Sequence, residues 1–547
     1  MAFDTKARQI VGDEWWRGAV IYQIYPRSFQ DSNGDGIGDL PGVISRMPYI
    51  ASLGVDAIWI SPFFVSPMKD FGYDVSDYCD VDPMFGTLAD FDLLVEAAHQ
   101  HGIRVMIDLV LNHTSDRHPW FRESRLGREG AKADWYVWAD PKPDGTPPNN
   151  WLSIFGGPAW RWDSRRQQYF LHNFLASQPD LNLHNPDVQD ALLDIARFWL
   201  DRGVDGFRLD VINFYFSDRQ LRDNPPCPKE FRNADIAPSV NPYNHQLHLY
   251  SKNQPENLAF LRRIRALLDR YPGTAAVGEV GDAQRGLQIL GEYTSGRDKV
   301  HMCYAFEFLA EDALTASRVA TTLMRLDEAA PDGWACWALS NHDVTRHASR
   351  WGLEPAALKL FTTMMMCLRG ALCLYQGEEL GLTEGKVAFD DLQDPYGREF
   401  WPEYQGRDGC RTPMAWDDAT NAGFSTGRPW LPPCQAHLDH AVSAQEANPT
   451  AILHHYRRAI AFRRAHPVLQ RGAHTGVGAS GSVLHFFRRL DGTEIFCAFN
   501  LASEPAAIAM PEGKWMQIGI ELGSTHPAPD GVLHLGPWQP ALALRKP

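Results

Sequence analysis

Strand-like and helix-like segments alternate along most of this chain, and that alternation limits the possible folds more than any other feature. Apolar runs of strand length stand at Ala19 to Tyr25, Asp56 to Ile60 and Ile103 to Leu111. Between them lie stretches with helical patterning, Val43 to Leu53 and Phe91 to His101. Strands joined through a helix run parallel, because only antiparallel neighbours can be linked by a tight turn. The pattern resumes with helix Asp187 to Arg202, strand Gly203 to Asp210, and helix Asn257 to Tyr271. Four more strands follow: one ending at Glu279, then Met302 to Phe308, Trp334 to Leu339 and Ala371 to Gln376, which brings the total to eight.

Several of these strands end on charged residues. In Gly203-Val204-Asp205-Gly206-Phe207-Arg208-Leu209-Asp210, alternation puts Arg208 and Asp210 on one face and Phe207 and Leu209 on the other. In a closed parallel barrel, Phe207 and Leu209 would pack outward against helices. Arg208 and Asp210 would then point to the mouth, where barrel enzymes keep their chemistry. Alone, this would read as a surface ion pair. The segments Val277 to Asp282 and Ser340 to Asp343 overturn that reading, because each again sets a carboxylate just past an apolar run. Asp108, Asn112 and His113 close the third strand in the same way.

Three stretches break the alternation. Residues 114–181, dense in Trp, Pro, Gly and Asn, read as a small irregular domain inserted after the third strand. A Pro/Asn-rich excursion, 217–256, follows the fourth strand where a lid or substrate wall would stand, and 382–440 is also loop-like. Helix Thr450 to His466 leads to a tail, 469–547, that alternates apolar and polar residues between turns and reads as an antiparallel β domain. Its Gly476 to Gly481 spells GxGxxG, but a strand and not a helix follows, so no phosphate site is expected. The expected organisation is a barrel in two parts, 1–113 and 182–468, with an insert at 114–181 and a C-terminal domain at 469–547.

After the first strand, Asp31-Ser32-Asn33-Gly34-Asp35-Gly36-Ile37-Gly38-Asp39 resembles the first half of a calcium loop. The twelfth position is Gly42, so the bidentate Glu of an EF-hand is missing. One structural divalent cation, Ca²⁺ or Mg²⁺, is expected on Asp31, Asn33, Asp35, the Ile37 carbonyl and Asp39; the competing reading is a plain turn. No cofactor is expected for catalysis.

A formal charge of −15 argues against a nucleic-acid partner, which needs a basic face. No run approaches the ~20 apolar residues that span a bilayer, and Met1 to Arg8 has no apolar core of signal-peptide length. Nine cysteines without a CxxC pair fit reduced thiols, so a cytoplasmic location is expected.

Specific segments carry a resemblance. Asp108-Leu109-Val110-Leu111-Asn112-His113, Gly206-Phe207-Arg208-Leu209-Asp210, Gly278-Glu279 and Asn341-His342-Asp343 resemble the α-amylase family of glycoside hydrolases. Phe71-Gly72-Tyr73-Asp74 and Gln405 to Met414 add to it, and the chain looks most like bacterial α-glucosidases of the oligo-1,6-glucosidase branch. The likeness covers nearly the whole chain in the family's order. It implies a (β/α)8 TIM barrel with a subdomain inserted after strand three and a C-terminal β-sandwich, in agreement with the layout above.

The resemblance also implies roles. Asp210 would be the nucleophile and Glu279 the general acid/base. Asp343 would hold the sugar's 2- and 3-hydroxyls. Arg208 would keep Asp210 ionised, and His113 and His342 would hydrogen-bond the first sugar. Asp74 and Arg407 would pair and grip its non-reducing end, Tyr73 would stack on its face, and Phe155 would face it. Retaining glycosidases set two carboxyls about 5–5.5 Å apart around the scissile bond. A guanidinium close by lowers a carboxylate's pKa by roughly 1–3 units, whereas a buried Glu without a sequence-adjacent cation should titrate high.

The expected activity is therefore that of an exo-acting, retaining α-glucosidase on short α-glucosides, with alcohols or sugars as transfer acceptors and a homodimer left open. A glucosyltransferase or a sucrose/trehalose isomerase would use the same intermediate. A non-catalytic sugar-binding or transporter-associated relative would be expected to lack the acids and to carry a membrane helix. Linkage preference stays open. Val211 follows the α-1,6-acting relatives, while Arg222 to Pro226 and Asn241 to Tyr243 resemble the α-1,4-type, transglycosylating ones.

Overall fold

The computed structural model describes residues 14–525 and 531–546. The N-terminal stretch read above for a leader lies outside them. Eight parallel strands form one sheet: β1 (Val20–Ile24), β2 (Ala57–Ile60), β3 (Arg104–Leu109), β4 (Gly206–Leu209), β5 (Ala275–Val280), β6 (Met302–Ala305), β7 (Cys336–Ala338) and β8 (Ala371–Tyr375). They pair in the order β6-β5-β4-β3-β2-β1-β8-β7. The ring closes through a parallel bridge between Cys303 and Ala335, where the Cys303 N–H donates to Trp334 O at 3.2 Å. Helices such as Leu88–Gln100, Pro186–Asp201, Asn257–Leu268, Ala316–Ala329 and Pro355–Cys367 connect successive strands.

Strand alternation sorts the core into two compartments. Ile21, Ala57, Trp59, Met106, Val277, Met302, Tyr304, Cys336 and Cys373 pack inside the ring. Their neighbours Tyr22, Ile58, Ile107, Phe207, Leu209, Ala276, Cys303 and Leu372 pack outward with Val95, Leu192, Trp199 and Leu360 of the helices. Each such large side chain contributes about 1.5–3 kcal/mol on burial. Toward the carboxyl ends the inward positions turn polar: Gln23, Asp108, Arg208 and Glu279 follow on from the inner apolar layer and are buried.

The expected helix Val43 to Leu53 is two helices, Leu40–Ser45 and Met47–Leu53. The break falls at Arg46, two residues before Pro48, which has no N–H to continue a helix. Residues 114–181 are more regular than expected. They carry helix Pro119–Ser124 and a three-stranded antiparallel sheet of Trp138–Ala139, Gln168–Leu171 and Trp160–Asp163. Trp151 and Trp160 are core, whereas Trp162 is 41% exposed. The excursion 217–256 contains short 3-10 turns with neither strand nor α-helix.

The tail forms a five-stranded antiparallel sheet and a two-stranded one. The GxGxxG stretch lies in the hairpin between strands Ala473–Ser480 and Val483–Leu490, so it opens no helix. Arg463 joins the segments beneath the barrel, donating to the carbonyls of Gly18, Met366, Leu368 and Gly370 at 2.6–3.0 Å. The bonds to Met366 and Leu368 satisfy carbonyls that the end of helix Pro355–Cys367 leaves unpaired. All nine cysteines are unpaired. Among the described residues, no helix is long and apolar enough to cross a membrane.

Gly206 is required by close approach: a Cβ there would lie 2.1 Å from the carbonyl oxygen of Ala275 on β5. Gly206→Ala is therefore expected to force β4 and β5 apart and to cost about 1–3 kcal/mol. A lowered midpoint of urea unfolding checks this, and an unchanged midpoint would mean that the barrel yields locally.

Candidate active site

The carboxyl ends of the strands open on a cavity of about 370 Å³, lined by Asp210, Glu279 and Asp343 together with Tyr73, His113, Phe155 and Arg407. The three strand-end carboxylates thus meet at one place, as their positions in the chain imply. Beneath them lies Arg208, fully buried on β4. Its Nη1 reaches Asp108 Oδ1 at 2.8 Å and Asp210 Oδ1 at 2.5 Å. Its Nη2 reaches Glu279 Oε2 at 2.6 Å and the Tyr304 hydroxyl at 2.9 Å. Asp210 and Glu279 are therefore held on the two terminal nitrogens of one guanidinium.

This changes the electrostatics expected of the pair. Glu279 does have a cation beside it, contributed by a different strand. Asp210 is pushed well above the usual carboxylate range, first by burial and then by the negative charges of Glu279 and Asp108; Arg208 opposes that rise without cancelling it. Burial likewise raises Asp108 to about 6 against the pull of Arg208. Asp108 and Asp210, both raised and close together, titrate as a pair.

Asp343 lies on the other side. Burial works to raise its pKa, but His342 and the guanidiniums of Arg407 and Arg411 outweigh it and hold Asp343 well below the usual range. The arginines carry this at neutral pH, because burial keeps His342 neutral, with its pKa lowered to about 3. Arg407 Nη1 and Arg411 Nη2 donate to Asp343 Oδ1 at 3.1 and 2.9 Å. Arg411 is thus a direct partner of the third carboxylate.

The expected pairing of Asp74 with Arg407 is corrected: Asp70 is the partner. Arg407 Nη2 donates to Asp70 Oδ1 at 2.9 Å, and Asp70 lines the cavity. Asp74 faces away and closes its own loop, accepting from Ser66 Oγ, Lys69 N and Asp70 N at 3.0–3.1 Å. The turn between them makes the difference. Phe71 sits at φ 50° and Gly72 at φ 107°, so the chain reverses within the motif and presents Asp70 and Tyr73 inward. Two aspartates four residues apart gave no local sign of which one faces the cavity.

Asp394 is a residue that the sequence did not disclose. It clamps Arg407 through Nε at 3.1 Å, Nη2 at 2.8 Å and the backbone N–H at 2.8 Å. It lies in a loop-like stretch without periodicity, so only the paired geometry reveals it.

Phe155 lies beneath the Arg407 guanidinium at 5.2 Å. Tyr73 lines the cavity with its ring, while its hydroxyl bonds Asp108 Oδ2 at 3.0 Å and His342 Nε2 at 2.7 Å. His342 and Arg208 do not line the cavity. His342 stands behind, with Nδ1 2.7 Å from Gln23 Nε2. Ala234 to Ser239 of the excursion form part of the cavity wall, as expected of that segment. Val211, next to Asp210, adopts φ 38°, which is rare for a β-branched residue, and its N–H donates to Glu279 Oε2 at 3.0 Å.

Among the described residues, no three His, Cys, Asp or Glu side chains converge to hold a metal ion. In the loop expected to take one, Asp31 accepts from the N–H groups of Asn33, Gly34 and Gly36 and from Ser425 Oγ at 2.5–2.9 Å. Asn33 accepts from Asp35 N, Asp35 from Ile37 N, and Asp39 caps helix Leu40–Ser45 through Gly42 N. The donors are the hard oxygens that such a cation prefers, but their present arrangement is that of a hydrogen-bonded turn.

Removing Arg208 leaves buried carboxylates unpaired, so Arg208→Ala is expected to lose about 3–5 kcal/mol of stability. Without the guanidinium, the folded-state pKa values of Asp108 and Asp210 rise further above their unfolded values, and the folded form binds more protons. The deficit against the parent should therefore shrink as pH falls. Thermal unfolding at pH 8 and pH 5 checks this, with the larger difference expected at pH 8.

Comparison with known proteins agrees with this geometry. The family model for the alpha amylase catalytic domain matches residues 23–472. A probable alpha-glucosidase of Rhizobium meliloti (strain 1021) is 65% identical over 502 residues, covering 91% of each chain. The crystal structure of an alpha-glucosyl transfer enzyme, XgtA, superposes with a TM-score of 0.95 at 54% identity, covering 97% of this chain and 99% of that one. The trehalulose synthase MutB of Pseudomonas mesoacidophila MX-45 superposes with a TM-score of 0.87 at 32% identity, covering 97% and 99%. With its three carboxylates gathered at the mouth of a (β/α)8 barrel that carries a C-terminal β domain, this chain belongs to the α-amylase family of glycoside hydrolases.

Proposed function

We propose that the protein is a retaining, exo-acting α-glucosidase that releases glucose from the non-reducing end of short α-glucosides and can pass the glucosyl group to alcohol or sugar acceptors. One observation carries this reading: Asp210 and Glu279 hang on adjacent nitrogens of a single guanidinium, in a cavity that Asp70, Arg407 and Asp343 bind together on its other side. A carboxyl pair held this close has room for a glycosidic oxygen but not for an interposed water, which favours retention over inversion.

In the first step Asp210, in the ionised form that Arg208 favours against burial, forms a bond to the anomeric carbon as Glu279 gives its proton to the glycosidic oxygen and the old bond breaks. In the second step Glu279 takes a proton from water or from an acceptor hydroxyl. That oxygen replaces Asp210 on the anomeric carbon, restoring both carboxyls. Asp343, kept anionic by two arginines, suits hydrogen bonding to the sugar's 2- and 3-hydroxyls and stabilisation of positive charge at the ring. The pairing of Asp70 with Arg407 would cap the pocket, favouring a terminal sugar over a threaded polymer.

The similarity to an alpha-glucosyl transfer enzyme supports transfer as a second outcome of the same intermediate. The likeness to a trehalulose synthase keeps sucrose isomerisation as the reading to be tested against it.

Asp210→Asn is expected to lower turnover of 4-nitrophenyl α-glucoside by about 10⁴-fold or more with the unfolding midpoint preserved, and Glu279→Gln by about 10²–10⁴-fold. NMR of the first glucose released from 4-nitrophenyl α-glucoside should show the α-anomer. A β-anomer, near-normal turnover by Asp210→Asn, or mainly rearranged disaccharide from sucrose would each overturn the proposal.

We also propose the Asp31–Asp39 loop as the seat of a divalent cation, supported by its all-oxygen donor set and by the exposure of Asp35 at its tip. Calcium in hundredfold excess over its Kd would add about 2.7 kcal/mol. The expected result is a lower Tm in chelator, restored by calcium, and an indifferent Tm would leave the loop a self-closed turn.

A further inference from the structure

An open groove of about 600 Å³ lies where the barrel meets the C-terminal domain, and none of its lining residues belongs to the catalytic cavity. Helix Pro355–Cys367 gives it Lys359, and helix Ile452–Ala465 gives it His455 and Arg458. Two loops of the tail, 521–523 and 536–540, close the other side and bring Trp538. Gln539 pins these loops together: its Oε1 accepts the Gly536 N–H at 2.8 Å, and its Nε2 donates to Gly523 O at 3.3 Å.

The polar groups of this groove are incompletely used. His455 is only 3% exposed. Its Nε2 lies 2.9 Å from both Lys359 O and Thr363 Oγ1, and the Thr363 hydroxyl gives its own proton to Lys359 O. Both neighbours call for a donor, which puts the ring proton on Nε2 and leaves Nδ1 an acceptor. Burial keeps the ring neutral, with its pKa lowered to about 4, and among the described residues Nδ1 has no hydrogen-bond partner. Lys359 and Arg458 donate to the carbonyls of Thr450 and Pro449 at 2.6 and 3.2 Å, and no carboxylate of the described residues pairs with either. Trp538 sits at φ 48°, and its buried indole N–H meets no acceptor. Left-handed backbone in a non-glycine residue and an orphaned donor both cost stability, and such costs gather where a chain is put to use.

From these groups we infer that the groove is a second saccharide site, which takes a short α-gluco-oligosaccharide outside the catalytic cavity. It offers one neutral acceptor, two cationic donors and an indole, and only a ligand that both donates and accepts satisfies them together. A sugar hydroxyl does both, and the apolar face of a pyranose suits an indole ring. A simple anion would meet the two cations but leave Nδ1 unmet, and it would share the groove with Glu521, whose charge opposes it. That the sugar is an α-glucoside rests on the proposed glucosidase reading; the hydroxyl-binding chemistry of the groove does not. A sugar seated there would be held by the enzyme without touching the catalytic carboxylates.

Trp538 itself can report the binding. The full chain carrying Asp210→Asn, so that sugar is not consumed, is labelled with 5-fluorotryptophan, and the Trp538 fluorine resonance is identified by its loss in Trp538→Phe. Titration with maltotetraose should move that resonance saturably, and Arg458→Met should weaken the binding about tenfold. With Asp210 intact, Arg458→Met should leave hydrolysis of 4-nitrophenyl α-glucoside unchanged. A resonance that maltotetraose leaves in place, or that inorganic phosphate moves and maltotetraose does not, would overturn the inference. So would an affinity that Arg458→Met leaves as it was, since the shift would then come from sugar in the catalytic cavity. If Arg458→Met fails to fold, Lys359→Met carries the same comparison. Should the parent not hydrolyse 4-nitrophenyl α-glucoside at all, the glucosidase reading itself falls, while the resonance still reports whether the groove takes sugar.

Discussion

One buried guanidinium organises the centre of this barrel. Arg208 is out of contact with water and balances Asp108, Asp210 and Glu279, drawn from three adjacent strands. At an effective dielectric of about 20, two charges 4 Å apart interact by about 4 kcal/mol. Such attractions are large enough to hold three like-charged groups together, and too small for one cation to leave all of them comfortably ionised. The residual imbalance would suit the proposed mechanism, in which one carboxyl carries a proton and its neighbour none. Tyr304 adds its hydroxyl to Arg208, and Trp59 donates to Asp108 Oδ2 at 3.2 Å, so the cluster is anchored from the apolar interior below.

The other half of the cavity depends on a second arginine. Arg407 is clamped by Asp394 and reaches both Asp70 and Asp343, tying a loop after β2 to one after β7. The carboxylates at the mouth thus share two counter-charges, Arg208 on one set and Arg407 on the other. Neighbouring strands are pleated at fixed spacing, so the rigid sheet sets where the carboxylates begin, and the arginines determine where their oxygens end. Backbone strain also falls in this region. Val211 at φ 38° and Phe71 at φ 50° are non-glycine residues in left-handed conformations, each beside a group that faces the cavity. Such conformations persist where surrounding bonds over-determine them.

The walls are contributed by segments outside the βα repeat. The insert provides Ile154, Phe155 and Phe174, and the excursion after β4 provides Ala234 to Ser239. Apolar surfaces such as Phe214, Ile236 and Tyr396 gather into a cluster of their own at this mouth. A cavity polar at its base and apolar along its walls can orient a sugar by its hydroxyls while letting different acceptors approach. Hydrolysis, transfer and isomerisation would then differ in what reaches the anomeric carbon, with the same carboxylates doing the bond-making.

Much of this was legible in the chain itself. The βα alternation, the eight strands and the three strand-end carboxylates follow from local patterning, because side-chain direction in a strand repeats every two residues whatever it packs against. That rule puts Arg208 and Asp210 on one face without any tertiary information. It could not say that the same guanidinium also reaches Asp108 and Glu279, since those contacts depend on the register between β3, β4 and β5. Nor could it choose between Asp70 and Asp74, where a left-handed turn decides which one points inward, or find Asp394, which lies in a stretch without periodicity. The chain alone determined that Asp210, Glu279 and Asp343 stand at the mouth of the barrel. Their charge partners were decided by the tertiary structure, because pairing depends on distances across segments that no local spacing encodes.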